Sequence, residues 1–476
     1  MAAAALSSQA AEGCGATQYK HRRTAAEVHR CKAGHRSELD PSEWDKFGYA
    51  QKEDDVCERP IAWQGQTFSI PRINRNDVTV EEFFECFLKP RRPCIIEGAM
   101  DSWPAMTQWD IGRLLDRMRH ASLKVGEDDK GRKLRMKFKY FADYMEHQQD
   151  DSPLYLFETR VESDPQVRDL LNDFSVPDLF PHDFFDLVNA QAKPPFRWWS
   201  IGPKRSGTTV HIDPLGTGAW NAVSHGRKRW VLFEPSTPAR LAKGKDVLNK
   251  DVEDDEAIMY FDFLLPRIKN KHPDVRIYEA VQGPGEIIFV PSEWWHGVLN
   301  LEDTVSVTQN YCGLDNFDLV WMRTRRGRKK LAYHWLRNMK KFEPTLHARA
   351  TQLNERDGFM MRHERDSDDS SSSDSSSGSE SSSDSSSDEE VDLDFSKIKD
   401  SCLAPPWWKA SSFQAAFPPR PPCRAPPRAL QEASVLQPPA APQHGLPIVT
   451  AAGGFPRKRP HAFAAPPEEM AVGTCA

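Results

Sequence analysis

Five short segments rich in β-branched and aromatic residues follow one another through the middle of the chain and constrain its fold most. They are SPLYLFE, FRWWSIG, KRWVLFEP, GEIIFVP and DTVSVTQNY, and each is bounded by Gly, Pro, Asp or Asn, which predicts short strands. Two segments with apolar residues at helical spacing precede them, TVEEFFECFLKP and TQWDIGRLLDRMRH, separated by a short predicted strand in RRPCIIEGAM. This order predicts an α+β chain whose second part is a β-sandwich or barrel.

The composition of the C-terminal quarter confines the fold to the residues before it. Residues 366–390 contain nine acidic residues, fifteen serines and one glycine, so this tract cannot bury enough apolar surface to fold. Removing its nine negative charges from the net charge of −6 leaves +3, a slightly basic body. We therefore expect five regions. Residues 1–40 form a disordered basic N-terminus, 41–150 a helical and mixed region, and 151–315 a barrel core. Residues 316–350 form a basic helical segment, and 351–476 a disordered acidic and proline-rich tail.

Cysteine usage and charge clusters bear on where the protein works. The nine cysteines form no CxxC pair, which favours a reducing intracellular compartment. The N-terminus lacks a signal-peptide pattern and no apolar run could span a bilayer, so we expect a soluble protein without a membrane partner. The basic clusters at residues 20–23 and 457–459 could be import signals or solvated charge. We expect a nuclear location, with a cytoplasmic pool as an alternative.

A histidine and an aspartate stand one residue apart in GTTVHIDPLG. In a strand, His211 and Asp213 project from one face while Ile212 faces the other. With a second histidine they would form the two-histidine, one-carboxylate set that holds iron(II) and leaves open positions for a cosubstrate and dioxygen. His296, at the start of a predicted strand downstream, is the candidate for that third ligand.

Two alternatives to this metal site remain open. A His-x-Asp pair is expected about once by chance in a chain with fifteen histidines, and His272 with Asp274 also matches. The proline between those two residues and their lysine-rich surroundings favour a surface loop. His296 could also be a core histidine, hydrogen-bonded beneath the neighbouring tryptophans.

A lysine on the apolar face of a strand predicts a second, anion-binding site. In GRKRWVLF, Lys228 shares a face with Trp230 and Leu232, where a cation is costly unless an anion meets it, and a dicarboxylate cosubstrate would supply one. The alternative is that Lys228 and Arg229 flank a strand end in water. In the last predicted strand one polar face could bind a carboxylate inside a barrel, although a half-exposed strand has the same pattern: Thr304, Ser306, Thr308 and Asn310.

Several long stretches resemble the JmjC-domain oxygenases in order and spacing: PPFRWWSIGPKRSGT, GTTVHIDPLGTGAWNAVSHGRKRWVLFEP and GPGEIIFVPSEWWHGVLNLEDTVSVTQN. The resemblance covers residues 40–345 and implies a double-stranded β-helix, a cupin-like jelly roll, with N-terminal helices and a C-terminal helical segment. It implies that His211, Asp213 and His296 bind Fe(II). It further implies that five residues contact the cosubstrate 2-oxoglutarate: Tyr155, Asn221, Lys228, Thr308 and Asn310. It also implies that two tryptophans, Trp198 and Trp295, lie near the pocket mouth.

The same resemblance implies a protein oxygenase that uses dioxygen, with three hypotheses for its work. The first is hydroxylation of lysine side chains, and the second is demethylation of N-methylated arginine or lysine, in which the hydroxylated methyl group leaves as formaldehyde. The third is a non-catalytic nuclear scaffold, which loss of a ligand residue would indicate, and none is lost. Expected partners are Lys- and Arg-rich proteins such as splicing factors and histones, with RNA contacts through the basic residues 323–330.

Overall fold

The computed structural model describes residues 22–361, except 64, 66, 189–192, 250–252 and 255. The strands in this part of the chain are β1 Thr67–Ser69, β2 Arg72–Asn74, β3 Cys94–Glu97, β4 Ser122–Glu127, β5 Lys133–Lys137, β6 Leu156–Glu158, β7 Arg197–Gly202, β8 Gly207–His211, β9 Gly218–His225, β10 Lys228–Phe233, β11 Ile277–Gln282, β12 Ile287–Val290, β13 Trp295–Asn300 and β14 Thr304–Tyr311.

Among the described residues, one α-helix precedes the strands, three follow β14 and seven lie between strands. They are α1 Arg22–His35, α2 Val80–Phe83, α3 Ala105–Gln108, α4 Ile111–Met118, α5 Phe138–His147, α6 Ala239–Ala242, α7 Ala257–Met259, α8 Leu265–Lys271, α9 Phe317–Gly327, α10 Lys329–Phe342 and α11 Pro344–Arg356. Two π-helical segments, Phe84–Leu88 and Tyr260–Leu264, extend α2 and join α7 to α8. The Thr79 capping box at the start of α2 and the buried Leu114 and Met118 of α4 agree with the predicted helices.

Two sheets form the centre of the fold. One has the strand order β1-β11-β10-β13-β8 and the other β2-β3-β12-β9-β14-β7-β6, while β4 and β5 form a separate hairpin. A buried cluster draws side chains from both large sheets and so lies between them: Ile70, Ile95, Ala219, Trp230, Leu232, Ala280, Ile288, Val290, Trp294 and Val298. All five predicted strands are present, and the α+β fold with two facing sheets is confirmed.

The N-terminal boundary differs from the sequence expectation. Residues 1–40 were expected to be disordered, but α1 occupies Arg22–His35. Its apolar residues are few, which hides the helix from periodicity, yet Val28 and Cys31 are buried. The Lys32 ammonium also forms a buried ion pair with Asp150 at 2.5 Å. Tertiary contacts therefore stabilise a helix that its own sequence pattern does not reveal.

The C-terminal boundary also differs, because helix continues past residue 350. The predicted amphipathic segment is divided into α9 and α10, and α11 then runs to Arg356. These three helices share one apolar cluster, built around Trp321, Trp335 and Met339 with Leu346, Ala350 and Leu353 from α11. Leu346, Ala350 and Leu353 recur at helical spacing, so α11 belongs to the folded body.

Several sequence-based expectations lie outside the described residues. They concern the first half of the basic cluster at residues 20–23, the cluster at Arg457–Arg459, the acidic serine tract and the proline-rich segments. The second half of the first cluster, Arg22 and Arg23, is exposed at the start of α1. Within the described residues, no helix is long and apolar enough to cross a membrane.

A buried ion-pair network ties the outer face of the five-stranded sheet to α8. Glu279 is fully buried and accepts from the Arg229 guanidinium at 2.8 Å and from Lys269. Replacing Glu279 with glutamine leaves Arg229 buried without a counter-charge, so we expect a loss of about 3–5 kcal/mol in the free energy of unfolding. Urea unfolding measures this loss.

The matched control for that substitution is Asp246→Ala. Asp246 pairs with Arg240, whose side chain is 71% exposed, and an exposed pair contributes about 1 kcal/mol or less. Equal losses in the two variants would contradict a stabilising role for the buried network.

Candidate metal and cosubstrate site

The three predicted iron ligands meet at one end of the five-stranded sheet. His211 ends β8 and His296 lies in β13, and the two residues are direct partners in the antiparallel register. Their ring centroids are 4.3 Å apart, and the Nε2 atom of His296 lies 3.9 Å from Oδ1 of Asp213. One ligand atom from each of the three residues lies within 4.8 Å of those from the other two. The geometry is that of side chains converging on one ion.

Hydrogen bonds orient both histidines for metal binding. Nδ1 of His211 lies 2.8 Å from the Thr209 carbonyl oxygen, and Nδ1 of His296 lies 3.0 Å from that of Trp294. Because a carbonyl oxygen only accepts, each Nδ1 carries the proton and each Nε2 presents its lone pair to the ion. Burial and the neighbouring His296 lower the pKa of His211 to about 4, which keeps this imidazole neutral at pH 7. Two imidazoles and one carboxyl group are a ligand set that suits iron(II).

Two tight turns carry the ligands, and α9 contacts both. After Asp213 the chain turns through Leu215 at φ 58° and Gly216 at φ 70°. A Cβ atom at Gly216 would lie 2.8 Å from Leu319 and 3.0 Å from Arg323, both on α9, so glycine is required by space as well as by φ.

The second turn precedes His296 and is held by two arginines. Glu293 adopts φ 68° in this turn. Its carboxylate accepts from Arg323 at 2.6 Å and from Arg91 at 3.1 Å. Since Arg323 also lies against Gly216, one side chain of α9 supports the segments that carry Asp213 and His296.

Lys228 lies deeper between the sheets and is almost fully buried, at 1% exposure. Its ammonium donates to the Tyr155 hydroxyl at 2.7 Å and to Oδ1 of Asn300 at 3.2 Å. No carboxylate among the described residues pairs with it, whereas Arg229 on the opposite face is paired with Glu279. Burial alone would raise the pKa of Tyr155, but the adjacent Lys228 charge and hydrogen bonds lower it overall. The alternative that Lys228 and Arg229 flank a strand end in water is wrong.

Comparison with known proteins decides what this pair of sites is. Residues 80–316 match the family model of the cupin-like domain. The chain is 41% identical over 334 residues to the bifunctional arginine demethylase and lysyl-hydroxylase psr-1 of Caenorhabditis elegans, covering 70% of this chain and 81% of that protein. The chain belongs to the JmjC family of iron- and 2-oxoglutarate-dependent oxygenases. It is also 29% identical over 269 residues to the mouse 2-oxoglutarate and iron-dependent oxygenase JMJD4, covering 52% and 61% of the two chains.

The remaining residues assigned to the cosubstrate line the interior of this oxygenase. Asn221 is buried, and its Oδ1 has no hydrogen-bond partner among the described residues. Thr308 lies directly opposite Asn221 in the register and donates to the Trp220 carbonyl oxygen. Asn310 donates to the Thr217 hydroxyl at 3.0 Å. A buried Asn221 oxygen without a hydrogen-bond partner and a buried Lys228 cation without a carboxylate partner among the described residues suit a bound group that carries both charge and hydrogen-bonding atoms.

The two tryptophans expected near the pocket mouth lie on different faces. Trp198 is opposite Thr308 in the register, so it shares the interior face, and it is partly exposed. Trp295 precedes His296 in β13 and therefore points to the other side of the sheet. There its Nε1 donates to the Thr237 carbonyl oxygen at 3.0 Å, and it packs against the outer apolar cluster. The structure brings Trp198, but not Trp295, to the site face.

Sequence reasoning missed Asn300 and Ser200 in the oxygenase pocket. Asn300 contacts Lys228 and donates to the Ser206 hydroxyl, and Ser200 lies 2.7 Å from the Ser306 hydroxyl. The signal for Asn300 was available, because it lies four residues after His296 and so shares its strand face. The decoy histidine behaves as expected: His272 follows α8 in a turn where Asp274 is exposed.

Exposure to solvent falls from the three converging ligands to Lys228. His211, Asp213 and Trp198 are partly exposed, while Lys228 and Asn300 are buried. A protein side chain can therefore approach the three converging ligands, and a carboxylate that met Lys228 would lie deeper.

Proposed function

We propose that this oxygenase hydroxylates lysine side chains of nuclear, RNA-processing or histone proteins. The relative from Caenorhabditis elegans is named as a lysyl-hydroxylase as well as an arginine demethylase, which supports this reaction class. The observation that carries an active site is the convergence of His211, Asp213 and His296 above a buried, carboxylate-free Lys228. The partly exposed Trp198 offers a ring face on which a cationic side chain can lie.

The site residues would have two tasks in the proposed reaction, to hold the metal ion and to bind the cosubstrate. His211, Asp213 and His296 hold Fe(II), and Lys228, Tyr155 and Asn300 bind the far carboxylate of 2-oxoglutarate. When bound there, iron, 2-oxoglutarate and dioxygen would supply oxidative decarboxylation, which would yield succinate and carbon dioxide and insert one oxygen atom into a substrate C–H bond. The buried interior excludes water from that chemistry.

Demethylation of N-methylated arginine or lysine is the alternative reaction of the same site. It is supported by the name of the Caenorhabditis relative and by an arginine-specific demethylase of Arabidopsis thaliana, JMJ22, 33% identical over 240 residues, covering 50% of this chain and 45% of that protein. We also propose that this oxygenase acts as a chromatin regulator in the nucleus. The scaffold hypothesis gains no support, because all three ligands are present and converge.

Product analysis with defined peptides separates the two reactions. We expect the purified full-length protein with Fe(II), 2-oxoglutarate and dioxygen to add one oxygen atom to a lysine in arginine- and lysine-rich peptides, detected by mass spectrometry. The matched peptide carries methylated arginine in place of arginine. Loss of a methylene mass with formaldehyde release, and no oxygen on lysine, would replace hydroxylation with demethylation as the main reaction.

A further inference from the structure

One face of α10 carries a row of exposed basic side chains. Lys330, His334, Arg337 and Lys341 recur at intervals of four, three and four residues, so they lie along one side of the helix. The opposite side is buried in the C-terminal cluster through Leu331, Trp335 and Met339. We call the exposed side, with its flanking residues Lys329 and Lys340, the basic face of α10.

The charges of the basic face are not neutralised by the described part of the chain. No carboxylate there forms an ion pair with Lys330, Arg337 or Lys341. Nearby arginines on the same three helices are paired, as Arg325 is with Asp357 and Arg349 with Asp318. A favourable interaction with the helix C-terminus applies to Lys340 and Lys341 only, because this effect fades within one turn. The positive charges along this helix therefore favour binding of an anionic partner.

The basic face also has a shape that suits an extended anionic chain. A cleft of about 420 Å³ is lined by His334, Arg337, Asn338, Lys340 and Lys341. All three C-terminal helices contribute to the apolar cluster beneath it, so the cleft is backed by packed side chains.

The chain itself supplies a polyanion a few residues beyond the helices that carry this surface. The last described residue, Met361, packs against the C-terminal cluster, and the acidic serine tract begins at Asp366. Five residue steps reach at most about 18 Å, and the tract of 25 residues can extend to roughly 85 Å. Helix α10, with 14 residues, is about 21 Å long. A tether this short gives a local concentration on the order of millimolar.

We propose that the acidic serine tract, residues 366–390, docks in cis on the basic face of α10 and competes there with external polyanions. The nine acidic residues of the tract meet a surface whose cations have no carboxylate partner in the described body. The tract therefore acts as an internal competitor that sets how strongly this face binds nucleic acid. This inference is independent of the reaction at the iron site.

Fluorescence anisotropy with a labelled single-stranded RNA oligonucleotide tests the competition in the full-length protein. We compare the wild type with a variant in which every aspartate and glutamate of residues 366–390 becomes asparagine or glutamine. We expect the neutralised variant to bind the probe about tenfold more tightly at low salt, with the difference shrinking as salt rises. Equal affinities would overturn the proposal.

Charge-matched variants locate the competition on α10. In the neutralised background, Lys330→Gln, Arg337→Gln and Lys341→Gln together should remove the gain in affinity. The control replaces three exposed lysines of the β4–β5 hairpin, Lys130, Lys133 and Lys137, with glutamine and should retain it. Retention of the gain in the α10 variant would overturn the proposal, since the RNA would then bind elsewhere.

Zero-length carbodiimide cross-linking of dilute full-length protein tests docking directly. We expect monomeric products that join Lys330 or Lys341 to acidic residues of the tract, identified by mass spectrometry and missing from the neutralised variant. Links confined to dimers would overturn docking in cis.

Discussion

Replacing His211 with alanine is expected to abolish peptide-stimulated succinate release. The substitution leaves only Asp213 and His296 of the three ligands. His211 is the register partner of His296, with the two rings 4.3 Å apart, so the pairing of β8 with β13 provides no substitute for the lost ring. We expect iron affinity to fall by at least about 100-fold, since losses of 10–100-fold accompany even partners of the ligands. Anaerobic Fe(II) titration and succinate release measure the two effects separately.

His272→Ala is the matched control for this prediction. His272 has the same His-x-Asp spacing but lies in the turn after α8, outside the group of converging ligands. We expect wild-type iron binding and turnover in this variant. Wild-type turnover in His211→Ala would instead make the two sheets a scaffold and refute the assignment of the metal site.

Replacing Lys228 with methionine is expected to raise the KM for 2-oxoglutarate by about 100-fold, because a lost charge-assisted hydrogen bond costs up to about 3 kcal/mol. Methionine fills similar space among Trp230 and Leu232 but offers no charge to the far carboxylate. Iron affinity should stay unchanged, because Lys228 lies four residues along β10 from Leu232, the partner of His296. Succinate release as a function of 2-oxoglutarate concentration measures the KM.

Two further variants distinguish charge from packing at this position. Tyr155→Phe removes one hydrogen bond of Lys228 and leaves the charge, so we expect a smaller rise in KM, about tenfold. Lys228→Arg keeps the charge and should recover part of the loss. Equal KM values in the wild type and Lys228→Met would place the cosubstrate carboxylate elsewhere.

Local periodicity was enough to predict several residues of the site. His211 and Asp213 follow from the alternate directions of side chains on extended backbone, although β8 itself ends at His211, and the buried Lys228 follows from its apolar neighbours. The same rule argues against placing Trp295 in the pocket, because adjacent strand residues face opposite sides; the family resemblance had suggested the contrary. The pairing of His211 with His296 depends on register between distant strands, which local pattern does not encode.

Elements stabilised by distant contacts were the hardest to predict. Helix α1 has few apolar residues. The burial of its Cys31 and the ion pair between its Lys32 and Asp150 exist only in the folded chain. Likewise, two π-helical segments and the left-handed Leu215 and Glu293 are set by the surroundings of each turn. Sequence pattern predicts elements of regular period, and these features have none.

The clamp of Arg323 on Glu293 and Gly216 has a practical consequence for where this enzyme can be cut. The cupin-like match ends at residue 316, one residue before α9 begins. A fragment that ends at residue 316 keeps all three metal ligands but lacks Leu319 and Arg323. It therefore loses the contacts of α9 with Gly216 and Glu293, which support the two turns that carry ligands. The part of the chain that matches the family model is thus smaller than the part needed to support both ligand-bearing turns.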